Sequence, residues 1–101
     1  MRQQDETPPD RDTRFTAWVH GRVQGVGFRY FALRRARELE VRGWVRNVGD
    51  GAVEVTAEGE AAALASLREA LGRGPAGASV ERIDEEWTEG RPRFQAFEIT
   101  G

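Results

Sequence analysis

The chain has 101 residues, 39% of them hydrophobic, and a formal net charge of −2. That length gives one domain with room for a single core, and the near-neutral charge argues against a general binder of nucleic acid or membrane surfaces. There is no cysteine, one histidine (His20) and no lysine, all 15 basic residues being arginine. Disulfides, thiolate or His-pair metal sites, thiol and amine nucleophiles and a P-loop lysine are thereby excluded.

Met1 to Thr13 is polar, holds Pro8 and Pro9, and has no apolar stretch of the signal-peptide kind. It reads as a flexible tail on a cytoplasmic protein, with 14–101 as the folded domain. No run approaches the ~20 apolar residues of a membrane span. A first strand is expected over Arg14 to Arg22, where Ala17 and Val19 alternate with Thr16, Trp18 and His20. A helix follows from about Phe28 to Glu40, with Phe28, Phe31, Ala32, Ala36 and Leu39 on one stripe and Arg34 and Arg37 facing out. Val41 to Val48 is a second strand, Gly49-Asp50-Gly51 a hairpin turn, and Ala52 to Glu58 a third strand. In that strand Val53, Val55 and Ala57 point inward, and Glu54, Thr56 and Glu58 outward to solvent. A second helix runs from about Glu60 to Leu71 on Ala63, Leu64, Leu67, Ala70 and Leu71, ended by Gly72 and Gly74-Pro75. Ala78 to Trp87 is a strand whose apolar residues, Val80, Ile83 and Trp87, do not keep period two, which predicts a bulge or an edge position. Asp84-Glu85-Glu86 within it reads as a solvated face. A last strand is expected over Phe94 to Ile99.

This βαββαβ order, plus a short final strand, predicts an α+β ferredoxin-like sandwich: a mostly antiparallel sheet with two helices on one face. A right-handed crossover makes the first two strands parallel, with the third between them. Their C-terminal ends then share one edge of the sheet. At that edge the first strand runs into Gly21-Arg22-Val23-Gln24-Gly25-Val26-Gly27-Phe28-Arg29. A glycine-rich loop opening a helix offers backbone N–H groups and a positive dipole end to an anion. Arg29 adds a guanidinium fork that matches phosphate oxygens. The topology places Asn47, at the end of the second strand, beside this loop. Taken singly, the glycines are a tight connection, Arg29 a surface residue and Asn47 a turn residue; it is their convergence that points to a phosphate site. His20 reads as a strand residue pointing away from the core, and Trp18, Trp44 and Trp87 as cover for the sheet. Arg22 and Arg46 flank the loop, either as sources of positive potential or as ordinary solvated positions.

The loop from Gly21 to Arg29 resembles the first acylphosphatase signature. Gly43-Trp44-Val45-Arg46-Asn47, with Gly51, Val53 and Gly59 after it, resembles the second. The resemblance runs from about Arg14 to the C-terminus. It implies hydrolysis of the carboxyl–phosphate bond of acyl phosphates without a metal or other cofactor. It also implies catalytic roles for Arg29, which binds phosphate, and Asn47, which positions water. The substrate-binding loop becomes Arg22, Val23, Gln24, Gly25, Val26, Gly27 and Phe28. The implied partner is a small-molecule acyl phosphate, with no nucleic acid and no membrane, and nothing in the sequence calls for more than a monomer. An RNA-recognition module shares the element order, but it needs aromatic and basic residues on its central strands, and Ala52 to Glu58 has neither. A detached hydrogenase-maturation domain and a non-catalytic sensor are the other readings of the same loop.

Overall fold

The computed structural model describes residues 12–101; the expected tail lies outside the described residues except for Asp12 and Thr13, which already pair within the first strand. The elements are β1 (Asp12–Arg22), α1 (Phe28–Glu38), β2 (Arg42–Asn47), β3 (Val53–Gly59), α2 (Ala61–Arg73), β4 (Ser79–Gly90) and β5 (Phe97–Ile99). The sheet order is β4-β1-β3-β2-β5. β3 is antiparallel to both β1 and β2, so β1 and β2 run parallel on either side of it, as the crossover rule requires. β4 joins β1 antiparallel and β5 joins β2 in parallel. The sandwich is the predicted α+β ferredoxin-like one.

The period-two alternation of β1 buries Phe15, Ala17 and Val19 against the helices. β2 adds Val45, and β3 adds Val53, Val55 and Ala57. Phe28, Ala32 and Ala36 of α1 and Leu64, Leu67 and Leu71 of α2 cover them. Each large side chain so removed from water contributes about 1.5–3 kcal/mol. None of the described helices is long and apolar enough to cross a membrane.

Local details of these elements have physical causes; the bulge in β4 is the one expected, and others depart from the expectation. α1 stops at Glu38 rather than Glu40 because Glu40 takes a left-handed φ of 59°. Val41 N–H then donates to the Ala36 carbonyl and Glu40 N–H to that of Arg37. This is the helix-closing arrangement usually marked by glycine. In β4 the apolar phase breaks because His20 faces Arg82 while Gly21 faces Val80, leaving Glu81 as the extra residue of a bulge. A Cβ on Gly21 (φ 130°) would sit 2.2 Å from the Ser79 carbonyl oxygen, so the bulge requires glycine there. Beyond the bulge, Ile83 packs against the core, and Trp87 stacks on Phe15 at 4.8 Å between ring centroids. Glu85 is exposed, as expected, and also ties β4 to α2. It accepts hydrogen bonds from Trp87 Nε1 (2.8 Å) and Arg68 Nε (2.7 Å). The Trp87 hydrogen bond, more than Arg68, holds its carboxyl below the usual range against some desolvation.

The largest difference is Glu58. Its strand phase points it to the sheet face away from the helices, as expected, yet it is fully buried there. Oε1 accepts from Arg14 Nη2 at 3.2 Å, and Oε2 from the backbone N–H groups of Arg93 (2.7 Å) and Phe94 (2.8 Å). The segment before β5 therefore folds over the carboxylate instead of extending the strand, and this shortens β5 to Phe97–Ile99. Arg14 is itself 9% exposed, so its charge relies on Glu58 for compensation. Glu58→Gln keeps the shape but removes the charge that faces Arg14 and weakens the two N–H contacts. It is expected to lower unfolding stability by about 2 kcal/mol in urea denaturation, with little change in turnover.

Candidate active site

β1 delivers the chain to the glycine loop, and both ends of that loop are pinned in the core. Val23 and Phe28 are each 1% exposed. Between them, Gly25 (φ 78°) and Gly27 (φ 81°) adopt left-handed backbone conformations. A Cβ on either would meet nothing within 4 Å. Glycine is needed there for its backbone angles, and the backbone faces open space rather than neighbouring atoms. Gly27 is the N-cap of α1 and has no side-chain cap, and the first turn contains no acidic residue. The first intrahelical bond is Phe31 N–H to the Gly27 carbonyl at 3.0 Å. The N–H groups of the first helical residues thus keep the free donors and positive potential of a helix start.

Arg29, on this turn, is exposed. Among the described residues no carboxylate or other acceptor engages its guanidinium. Arg46, by contrast, is held by Glu54 at 2.9 Å and lies over Trp44. His20 is bonded to Asp84 at 3.1 Å on the face away from the helices and takes no part in the loop.

Asn47 ends β2 opposite Val53. Its Oδ1 is buried and finds no donor among the described residues. A buried, unsatisfied acceptor in an otherwise well-bonded fold calls for an explanation. Its surroundings supply one: Asn47 lines a small pocket together with Val23, Gly25, Gly27, Phe28, Arg29 and Tyr30. The pocket gathers six of the nine residues expected from the sequence. Arg22, Gln24 and Val26 do not line it, and Tyr30, unremarked in the sequence, does. Val26 packs against the core, and Arg22 is exposed.

Gln24 lies outside the pocket for a different reason. Its Nε2 donates to the carbonyl oxygens of Val48 and Ala52, each at 2.9 Å. These flank the tight turn after Asn47, itself closed by Asp50 Oδ1 accepting from Ala52 N–H at 3.0 Å. The side chain of the loop is therefore a strut that fixes the distance between loop and Asn47. Gln24→Ala removes both bonds, while each carbonyl keeps one backbone donor, Gly51 N–H for Val48 and Val48 N–H for Ala52. It is expected to lower stability by about 1–2 kcal/mol and to reduce kcat about tenfold as Asn47 loses its registration with the loop. Circular-dichroism melts and steady-state rates check the two numbers.

Fold and pocket together define a small α+β sandwich in which β1 and β2 bring a glycine loop, a guanidinium and an amide oxygen, both without partners among the described residues, to one edge, an arrangement suited chemically to an oxyanion. More particularly, the chain belongs to the acylphosphatase family, whose model, described as Acylphosphatase, matches residues 15–99. It is 50% identical over 88 residues to an acylphosphatase of Salinibacter ruber, a match that covers 87% of this chain and 93% of that one. It is similar to the crystal structure of acylphosphatase from Bacillus subtilis, with a TM-score of 0.80, 41% identity, and 88% of this chain and 99% of that chain covered. An acylphosphatase structure from Coxiella burnetii matches with a TM-score of 0.82 at 34% identity, covering 89% and 94% of the two chains.

Proposed function

We propose that the chain hydrolyses the carboxyl–phosphate bond of acyl phosphates, with the phosphoryl group held by the 22–28 loop and Arg29 and the attacking water placed by Asn47. The observation that carries this reading is the unsatisfied Asn47 Oδ1 in the same pocket as the unengaged Arg29. The first suits a water that must be aimed; the second suits oxygens that carry negative charge. The names of the relatives agree with it.

The reaction asks little beyond this. The leaving carboxylate is the base of an acid with a pKa of about 4–5, so it departs without a proton and no general acid is needed. A loose transition state makes modest demands on the nucleophile. The chain's tasks are to stabilise the equatorial oxygens and to hold a water in line. The N–H groups of the loop and the Arg29 fork perform the first. Asn47 performs the second, Oδ1 accepting a hydrogen bond from the water and so turning the water's lone pair toward phosphorus. As the new P–O bond forms, the old P–O bond breaks, the carboxylate leaves with the electron pair, and the water's proton passes to a phosphoryl oxygen. No metal or other cofactor enters this scheme. The expected result is release of inorganic phosphate from acetyl phosphate at the same rate with and without a chelator. Loss of the activity on chelation, or its absence, would contradict the scheme.

The same reading takes 14–101 as the catalytic domain and the protein as a cytoplasmic monomer without nucleic-acid or membrane partners. One edge strand of the described sheet, β4, supports the monomer. It carries Glu81, Asp84, Glu85 and Glu86 against one basic residue, Arg82, and a second copy paired on that edge would bring predominantly like charges together.

A further inference from the structure

Tyr30 and Trp87 are the large hydrophobic residues left exposed among the described residues, at 66% and 44%. The fold accounts for Trp87, which stacks on Phe15 and donates to Glu85. It does not account for Tyr30. The ring has no aromatic neighbour, and the hydroxyl has no hydrogen-bond partner among the described residues. Tyr30 nevertheless lines the phosphate pocket, one residue beyond Arg29. The pocket's other apolar members, Val23 and Phe28, are spent in the core at 1% exposure each. The remainder are glycine backbone, Arg29 and Asn47. Among the residues lining this pocket, Tyr30 is the one large exposed side chain with an apolar surface.

An acyl phosphate has two ends. The phosphoryl end is matched by loop and guanidinium and carries no information about the acid attached to it. Selection among acyl phosphates must come from groups at the mouth. We propose that Tyr30 is the specificity-determining residue of this site and that its ring packs against the acyl group, which makes acyl phosphates with an apolar, planar acyl group the favoured substrate class. This rests on the acyl-phosphate reading above. A face-to-face or offset contact between rings contributes free energy beyond area burial, while an acetyl group offers one methyl to the same surface. Tyr30 stands on the exposed face of a helix, and alanine is the better helix former, so its removal leaves the fold in place.

The test compares benzoyl phosphate with acetyl phosphate as the ratio of kcat/KM values in wild type, Tyr30→Ala and Tyr30→Phe. The wild type is expected to favour benzoyl phosphate. Tyr30→Ala is expected to lower the ratio about five- to tenfold, and Tyr30→Phe to keep it within about twofold, since the ring and not the hydroxyl makes the contact. A wild type that turns over neither compound overturns the acyl-phosphate reading and this inference with it. A wild type that hydrolyses both, with a ratio unmoved in Tyr30→Ala, overturns this inference alone. So does an equal fall for both substrates, which would make Tyr30 a general support of the loop, or a Tyr30→Phe ratio as low as that of Tyr30→Ala.

Discussion

Arg29→Gln is expected to lower kcat/KM for acetyl phosphate by about 10³-fold, close to 4 kcal/mol of transition-state stabilisation, with no measurable loss of stability. Both halves of that expectation come from the same observation. The guanidinium has no partner among the described residues, so none of their contacts is lost when it goes, and an exposed helix residue of this kind usually changes stability by less than about 0.5 kcal/mol. In the proposed reaction its contribution goes to the phosphoryl group. Glutamine keeps an amide donor near the position of the arginine Nε but loses the reach, the charge and the two-pronged fork that matches phosphoryl oxygens. The uncapped first turn of α1, free of acidic residues, leaves some anion affinity behind, so binding weakens rather than vanishes. Lysine in place of arginine restores the charge without the fork and should recover only part of the loss.

Asn47→Ala is expected to lower kcat by about 10²–10³-fold while leaving stability unchanged or raising it by up to about 1 kcal/mol. The signs oppose because Oδ1 is a buried acceptor with no donor among the described residues, and burying such a group without a bond is unfavourable to folding. A side chain kept for folding would show the reverse. Phosphate binding should survive this substitution, since the loop and Arg29 are intact. The effect should therefore fall on kcat and spare KM, as expected when the lost interaction is made only in the transition state. Thermal melts and initial rates on the same preparation decide it.

Much of this site was legible from residue order. The crossover rule alone puts the end of β2 beside the end of β1 with β3 between them, and so brings Asn47 to the loop before any coordinates are known. The glycines of the loop announce left-handed backbone, and Gly25 and Gly27 have it. What stayed hidden depends on who covers whom. Period two assigned Glu58 to the outer face, but alternation cannot reveal that residues 91–96 fold back over that face and supply N–H donors. The end of α1 was missed because Glu40 occupies the left-handed position where glycine is the usual signal. Gln24 looked like one more loop residue. Its function as a strut depends on the carbonyl directions of Val48 and Ala52, which are properties of a turn more than twenty positions away. Tyr30 was passed over because it lies off the apolar stripe of the helix, and a single aromatic on a solvent-facing position carries no signal of a ligand.

The most direct test of the site is a titration of the isotopically labelled protein with inorganic phosphate, the reaction product, followed by the backbone amide resonances. The account predicts shifts confined to the loop from Arg22 to Phe28, to Arg29, Tyr30 and Asn47, with affinity weakened at least tenfold in Arg29→Gln and retained in Asn47→Ala. Phosphate that binds Arg29→Gln as tightly as wild type, or that shifts residues around Arg14, Arg42 and Glu58 in place of the loop, would contradict it.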